Sequence, residues 1–570
     1  MIPSVHSFDS YHLLCAFFVY ANCHNVQVKI KQGLILGKPE LTLFDGNLYY
    51  AFYGVPYAKP PVGKFRFKNP RPLKKWKLPF DASKSFYGAC AQSHIVHRYS
   101  QHGDEDCLYL NVYTPSLSTI KTNLKPVVVW IHGYAFISSF SHIHGPDFFI
   151  DNDVIVVTVA HRVGAFGFLK LNDTDEHENM GLKDILMALK WISKNIKQFG
   201  GDRNQITMMG SGSGATFISL LLMTKHRHLF HRIILQSGSP FSLSLFQGDY
   251  KSERDKLLDI LHQKGIKNIR EASTKDIISA LRGMYTNAQN INTQQLLVPF
   301  LPILGQKSKT SFWINDPGNF DQFFSKINQQ ILIGFGSQES ITEVIPFIHN
   351  PHYLKSLATR FKFIVPFIIK CKFNHTSPTY KQVAQKIKSY YFKDGLSENT
   401  LDKFLEYSSD VIIYPIFKFI QSYLKNANNN KIYVYKFNYI GNFSAIKANV
   451  MAGAKIKVKG AASGDEICYL LKCEPIWDNY VAAKSQNNND VQFIKQIATL
   501  WTNFAKTGEP TPNTYKGNVT WPPTTLKNDN MLVLGKVINV IDTKKEKRMF
   551  EFWEDIYRKY YDHCNSHDEL

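Results

Sequence analysis

The chain has 570 residues, 44% of them hydrophobic and 20% charged, which excludes a disordered or collagen-like protein and allows a large buried core. Lys and Arg number 67 against 46 Asp and Glu, for a formal net charge of +21. A surplus of that size draws acidic partners, glycans or membranes, but it accompanies a Lys-, Asn- and Ile-rich bias and reads as a solvated surface, with no nucleic-acid partner expected.

In chain order, the apolar run Leu13-Leu-Cys-Ala-Phe-Phe-Val-Tyr-Ala21 comes first, with small-residue cleavage points after Ala21 or Cys23. It reads as a signal peptide over residues 1–23, although His6 and His12 rather than Lys or Arg precede it. Residues 24–566 follow as one domain without repeats or linkers. Cys90 and Cys107 bracket a short polar loop and are the best-placed disulfide pair, worth about 3 kcal/mol by loop closure. Apolar runs then recur at 127–131, 154–159, 206–209, 232–235, 331–333 and 431–436. Continuous runs of this kind are buried on both faces, as in a parallel sheet covered by helices, so the fold class is α/β. Helices are expected at 180–197, 214–224 and 490–506, the last stopped by Thr507-Gly-Glu-Pro510. The Asn-rich patches 427–430 and 487–489 read as exposed loops.

Gln205-Ile-Thr-Met-Met-Gly-Ser-Gly-Ser-Gly-Ala215 runs from strand into helix with the outer glycines of a G-x-S-x-G elbow, Gly210 and Gly214. That motif holds its central residue on a strained turn, aimed at the reacting centre. The central residue here is Gly212, and the flanking Ser211 and Ser213 should face elsewhere. No other G-x-S-x-G occurs.

Further signals are weaker. Lys455-Ile-Lys-Val-Lys459 puts three lysines on one face of a strand and reads as a solvated edge strand rather than an anion site. His94, His97, His142 and His144 have no metal-ligand spacing with cysteine or carboxylate, and no cofactor is assigned. No later apolar stretch is long enough for a transmembrane anchor. N-glycosylation sequons stand at Asn172, Asn374, Asn442 and Asn518. The eight cysteines suit an oxidising compartment, with the pairing of Cys371, Cys468, Cys473 and Cys564 open. His567-Asp-Glu-Leu570 is a retrieval signal for the endoplasmic-reticulum lumen when it is the free C-terminus. The alternative is secretion.

The segments Tyr53-Gly-Val-Pro-Tyr-Ala-Lys-Pro-Pro-Val-Gly-Lys-Phe-Arg-Phe67, Glu105-Asp-Cys-Leu-Tyr-Leu-Asn-Val-Tyr113, Arg162-Val-Gly-Ala-Phe-Gly-Phe168, Asn179-Met-Gly-Leu-Lys-Asp184, Phe199-Gly-Gly-Asp202, Gln236-Ser-Gly-Ser239 and Trp501-Thr-Asn-Phe-Ala-Lys-Thr-Gly508 together resemble the type-B carboxylesterase and cholinesterase family. The resemblance spans roughly residues 25 to 560 and implies the α/β-hydrolase fold, a large, mostly parallel sheet covered by helices on both faces. It implies the ion pairs Arg66–Glu105 and Arg162–Asp184 and again the disulfide Cys90–Cys107. The family's second disulfide, near 250–285, has no cysteine here.

The family's triad is serine, glutamate and histidine. Carried over position by position, the serine falls on Gly212, the acid on Glu339 and the histidine on Ser463, in Ala462-Ser-Gly-Asp-Glu466. The oxyanion-hole positions fall on Gly133, Tyr134 and Ser213, where His132-Gly-Tyr-Ala135 replaces the family's His-Gly-Gly. Glycine offers no nucleophilic atom, and serine cannot replace an imidazole that accepts and returns a proton near neutral pH. Losing either group costs on the order of a million-fold in the chemical step. Glycine also relieves the elbow's backbone strain, and Ser463 is expected to donate to the orphaned Glu339. The leading expectation is a non-catalytic protein of the secretory pathway that binds an unknown protein partner or assists lumenal assembly, as the cholinesterase-like adhesion proteins use an inactive domain. The alternatives are a binder of small hydrophobic esters that does not turn them over, and an active carboxylic ester hydrolase with a rearranged site using Ser211 or Ser213. A dimer is left open.

Overall fold

A computed structural model describes residues 26–84, 88–93, 101–172, 177–242, 250–286, 288–289, 298–303, 324–360, 377–393, 395–427, 431–484 and 488–561. The segments read as leader (1–23) and retrieval signal (567–570), together with Asn374, His94, His97, Cys371 and Cys564, lie outside the described residues.

One large sheet organises the chain. Its strands are β1 (Val26–Lys29), β2 (Leu34–Leu41), β3 (Leu48–Pro56), β4 (Tyr109–Thr114), β5 (Lys125–Ile131), β6 (Ile155–Val159), β7 (Gly201–Ser211), β8 (Arg232–Gln236), β9 (Gln330–Gly336), β10 (Ile432–Phe437), β11 (Asn530–Leu534) and β12 (Ile538–Asp542). They lie in the order β1-β2-β3-β4-β6-β5-β7-β8-β9-β10-β11-β12, and a short strand, Phe80–Asp81, pairs with β2. From β6 through β11 every pairing is parallel. The strands at both ends pair antiparallel.

The apolar runs of the sequence are these parallel strands, and the reason is visible in their side chains. Along β5, Val127, Val129 and Ile131 enter one core while Val128 and Trp130 enter another on the opposite face. Both faces are dry there, so every position from 126 to 131 is apolar. The helices cover these faces: α1 (Met180–Asn195), α2 (Ser213–Leu222), α3 (Leu401–Asn426), α4 (Asn489–Thr507) and α5 (Lys544–Ile556). Asn488 caps α4 through its side chain, accepting from the Asp490 N–H at 2.8 Å, so Asn489 begins that helix rather than ending a loop.

Lys455–Lys459 is not a strand. Its alternation is real, since the lysines are exposed while Ile456 and Val458 pack on the core. No described strand pairs with it, however, and left-handed Gly453 and Gly460 flank it. Alternation records an inside and an outside; hydrogen-bonded pairing is a separate requirement.

Charged pairs and disulfides fix loops to this frame. Arg162 grips Asp184 with two parallel bonds, Nε to Oδ2 at 2.8 Å and Nη2 to Oδ1 at 2.7 Å, both residues buried. Arg66 does the same to Glu105 at 2.7 and 2.6 Å, and its Nη1 also donates to the carbonyls of Arg270 and Ala272. Cys90 bonds to Cys107, and Cys468 to Cys473. No helix of the described residues is long and apolar enough to cross a membrane.

Removing one partner of a buried ion pair strands the other charge. Asp184→Ala should therefore cost about 3–5 kcal/mol, read as a lower denaturant midpoint at unchanged slope. A loss near zero would mean the pair holds nothing.

Candidate active site

The elbow forms where β7 ends and α2 begins. Gly212 sits at φ 55° and ψ −123°, its N–H bonded to the Gln236 carbonyl at 2.9 Å. Its surroundings are as restrictive as its backbone. A β-carbon on Gly212 would lie 2.6 Å from the carbonyl oxygen of Gly133, a backbone atom that cannot swing aside. Two residues on, a β-carbon on Gly214 would lie 2.0 Å from the Ile131 carbonyl, so only glycine lets α2 cross the end of β5.

Residues 132–138 explain the orientation of Gly133. The loop closes in a tight turn in which the Tyr134 N–H donates to the Ser138 carbonyl at 2.9 Å and the Ser138 N–H donates back at 3.2 Å. Ala135 and Phe136 hold left-handed conformations at φ 47° and 61°, strained for residues with a side chain. Phe136 packs edge-on against Phe217 and Phe168, at 5.0 and 5.8 Å between ring centres, which offsets that strain. The Tyr134 hydroxyl reaches the Thr342 carbonyl at 3.4 Å. Burial, reinforced by Glu343, pushes the Tyr134 phenol well above its ordinary range. Of the three positions that the resemblance assigns to an oxyanion hole, Tyr134 thus has its N–H spent inside the loop.

Ser211 and Ser213 are both buried. Ser213 Oγ has no hydrogen-bond partner among the described residues, and it packs where a β-carbon on Gly133 would come within 2.4 Å.

Glu339 begins a short turn after β9. Its Oε1 accepts from the Ser237 hydroxyl at 2.6 Å and from the Gly336 N–H. Ser463 approaches and favours the charged form, but less than these two, and Oε2 keeps no hydrogen-bond partner. Ser237, not Ser463, is therefore the main donor. Burial pushes the Glu339 carboxyl up to about 7 against those donors. Glu466 lies beside it, accepting from the Tyr435 hydroxyl at 3.0 Å through Oε1 while Oε2 is unpartnered. Burial, then the charge of Glu339, pushes Glu466 up to about 8. Burial also raises Asp465 to about 6, against the N–H groups of Lys447 and Ala462. Ser237, Glu466 and Tyr435 were missed as site residues. Ser237 stood in a matched segment, but nothing in the sequence ties it to a carboxylate 102 positions away.

Among the described residues, no histidine figures in the environment of these carboxylates. His144 and His161 are buried and His132 half-buried beside the loop; desolvation depresses all three, His132 to about 3, and keeps them neutral. Among the described residues no three His, Cys, Asp or Glu side chains are arranged to hold a metal ion.

Residues 24–553 match the carboxylesterase family. Venom carboxylesterase-6 of Apis mellifera is 29% identical over 563 residues, covering 94% of this chain and 95% of the relative. Juvenile hormone esterase of Heliothis virescens is 30% identical over 541 residues, covering 90% and 92%. The crystal structure of juvenile hormone esterase from Manduca sexta, with OTFP covalently attached, superposes with a TM-score of 0.77 at 24% identity, over 94% of this chain and all of that one.

Glu339 and Glu466 bind a proton more tightly folded than at their ordinary value of 4.5. The stability they contribute is full below about pH 4.5 and is lost as pH rises through about 7 and about 8. Denaturant midpoints should fall between about pH 5 and about pH 8, and Glu466→Gln should flatten that fall. A variant that declines as steeply as the parent would remove Glu466 from the account.

Proposed function

The chain belongs to the carboxylesterase family, and from that premise we propose that it is a member that does not hydrolyse esters and acts in the secretory pathway by binding a protein partner. One observation carries this reading: the place of a β-carbon at the elbow is taken by the Gly133 carbonyl, 2.6 Å away. A hydrolase needs at that point a side-chain oxygen and, facing it, free N–H donors for the developing negative charge. Here residue 212 has no side chain, the carbonyl end of the neighbouring peptide faces it, and the Tyr134 N–H is already bonded. Position 463, where the resemblance puts the base, carries a hydroxyl.

The relatives' names speak of esters, and the fold that serves them is intact: sheet, ion pairs and the Cys90–Cys107 disulfide. A scaffold kept whole around a closed site favours a role on its surface. The disulfides Cys90–Cys107 and Cys468–Cys473 and the exposed sequons Asn172, Asn442 and Asn518 support passage through an oxidising lumen. In that setting residues 1–23 serve as leader and His567–Leu570 as the retrieval address.

Hydrolysis of a short-chain aryl acetate tests the reading. The protein should show no turnover above the uncatalysed rate, and the double variant Gly212→Ser, Ser463→His should also remain silent, because Gly133 leaves the new serine no room. Gly212→Ser alone should destabilise by about 1–3 kcal/mol. Parent turnover that is abolished by stoichiometric fluorophosphonate labelling would sink the proposal.

A further inference from the structure

Among the described residues, the last strand of the sheet has one unpaired edge. β12 is hydrogen-bonded to β11 along one side, in continuous register from Leu534↔Ile538 to Asn530↔Asp542. Among the described residues no strand or loop pairs with its other side. Sheet proteins usually blunt such an edge with proline, a bulge, a covering element or charges along the strand. Ile538-Asn-Val-Ile-Asp542 carries no proline and no bulge, and its single charge stands at its end. Val537, just before it, is 75% exposed. Both faces of the edge are apolar, because Ile538 and Val540 extend the core on one side of the sheet and Ile541 extends the core on the other.

We infer that β12 is a self-association surface, on which β12 of a second copy adds antiparallel so that two sheets join across a two-fold axis. The strand's own sequence singles out this occupant. In antiparallel pairs, opposed residues share a face of the sheet. Centring the axis on Asn539 sets Ile538 opposite the partner's Val540 on both sides of the axis and brings the partner's Ile541 and Asp542 beside Val537 and Lys536 of the turn that joins β11 to β12. The central pair is one amide against another, each with a donor and an acceptor. Sliding the axis to Val540 instead puts Asp542 against Ile538 and Asn539 against Ile541. Lys536 is exposed and has no ion-pair partner among the described residues, whereas Asp542 already holds Lys544 at 2.9 Å. The join would continue both cores across the axis and satisfy the outward N–H and C=O groups of β12 in both copies. It involves none of the residues at the elbow.

Sedimentation velocity of the full chain over a wide range of concentration tests the inference. The protein should move from monomer to dimer as concentration rises, and Asn539→Asp, which sets two carboxylates face to face on the axis, should weaken that association about tenfold or more. Asn539→Cys should form a disulfide-linked dimer on a non-reducing gel, since directly opposed strand residues lie within disulfide range. Lys84→Cys, exposed beside the short strand on β2 near the opposite end of the sheet, should form none. A protein monomeric at every concentration, a dimer indifferent to Asn539→Asp, or cross-linking equal at both cysteines would overturn the proposal. Asn539 is solvent-exposed, so a melting temperature equal to the parent's separates an edge effect from misfolding.

Discussion

The crossing of α2 over the end of β5 is the constraint on which the rest of the molecule hangs. The backbone there approaches so closely that a single β-carbon at residue 214 would overlap the Ile131 carbonyl at 2.0 Å. That contact sets how deeply the helix sits on the central parallel strands, and so where residue 212 stands relative to the loop leaving β5. Interiors packed at crystal density do not absorb a displaced atom locally. The elbow, the loop at Gly133 and the buried carboxylates therefore keep their mutual positions whatever chemistry they support.

The parallel centre of the sheet was legible in the sequence because it is dry on both faces, which puts a short, mostly apolar run inside each of β5 to β10. The antiparallel ends were not. β2 carries Gly37 and Pro39 inside its eight residues, and β12 is short and ends in charge, so neither shows a clean period. α3 escaped notice for a related reason: Pro415 stands inside its 26 residues, where a proline normally argues for a break. Its carbonyl accepts from Ser239 at 2.9 Å, one of the tertiary contacts that hold the helix in place. At Lys455–Lys459 the period was correct and the inference from it was not, because a strand needs a neighbour as well as two faces.

At the site, the resemblance pointed to Gly212, Glu339 and Ser463, the first on a stretch without a gap between Phe199 and Leu220. What sequence could not supply was direction. That the Tyr134 N–H turns to Ser138 and that the Gly133 carbonyl faces the elbow follow from left-handed Ala135 and Phe136, conformations a sequence gives no reason to assign. The carboxylates show the same limit. Two acids buried side by side, each with an unpartnered oxygen, carry a desolvation cost that protonation relieves. Only proximity in space reveals the pair.

The turn at Tyr134 also couples positions far apart in the sequence. A serine placed at position 212 meets the Gly133 carbonyl, and that carbonyl turns away only if the hydrogen-bonded turn behind it opens. Opening it would give up the Phe136 wedge, and the new serine would face a hydroxyl at position 463. Substitutions at 212, 134 and 463 are therefore interdependent, each disfavoured until the others have been made.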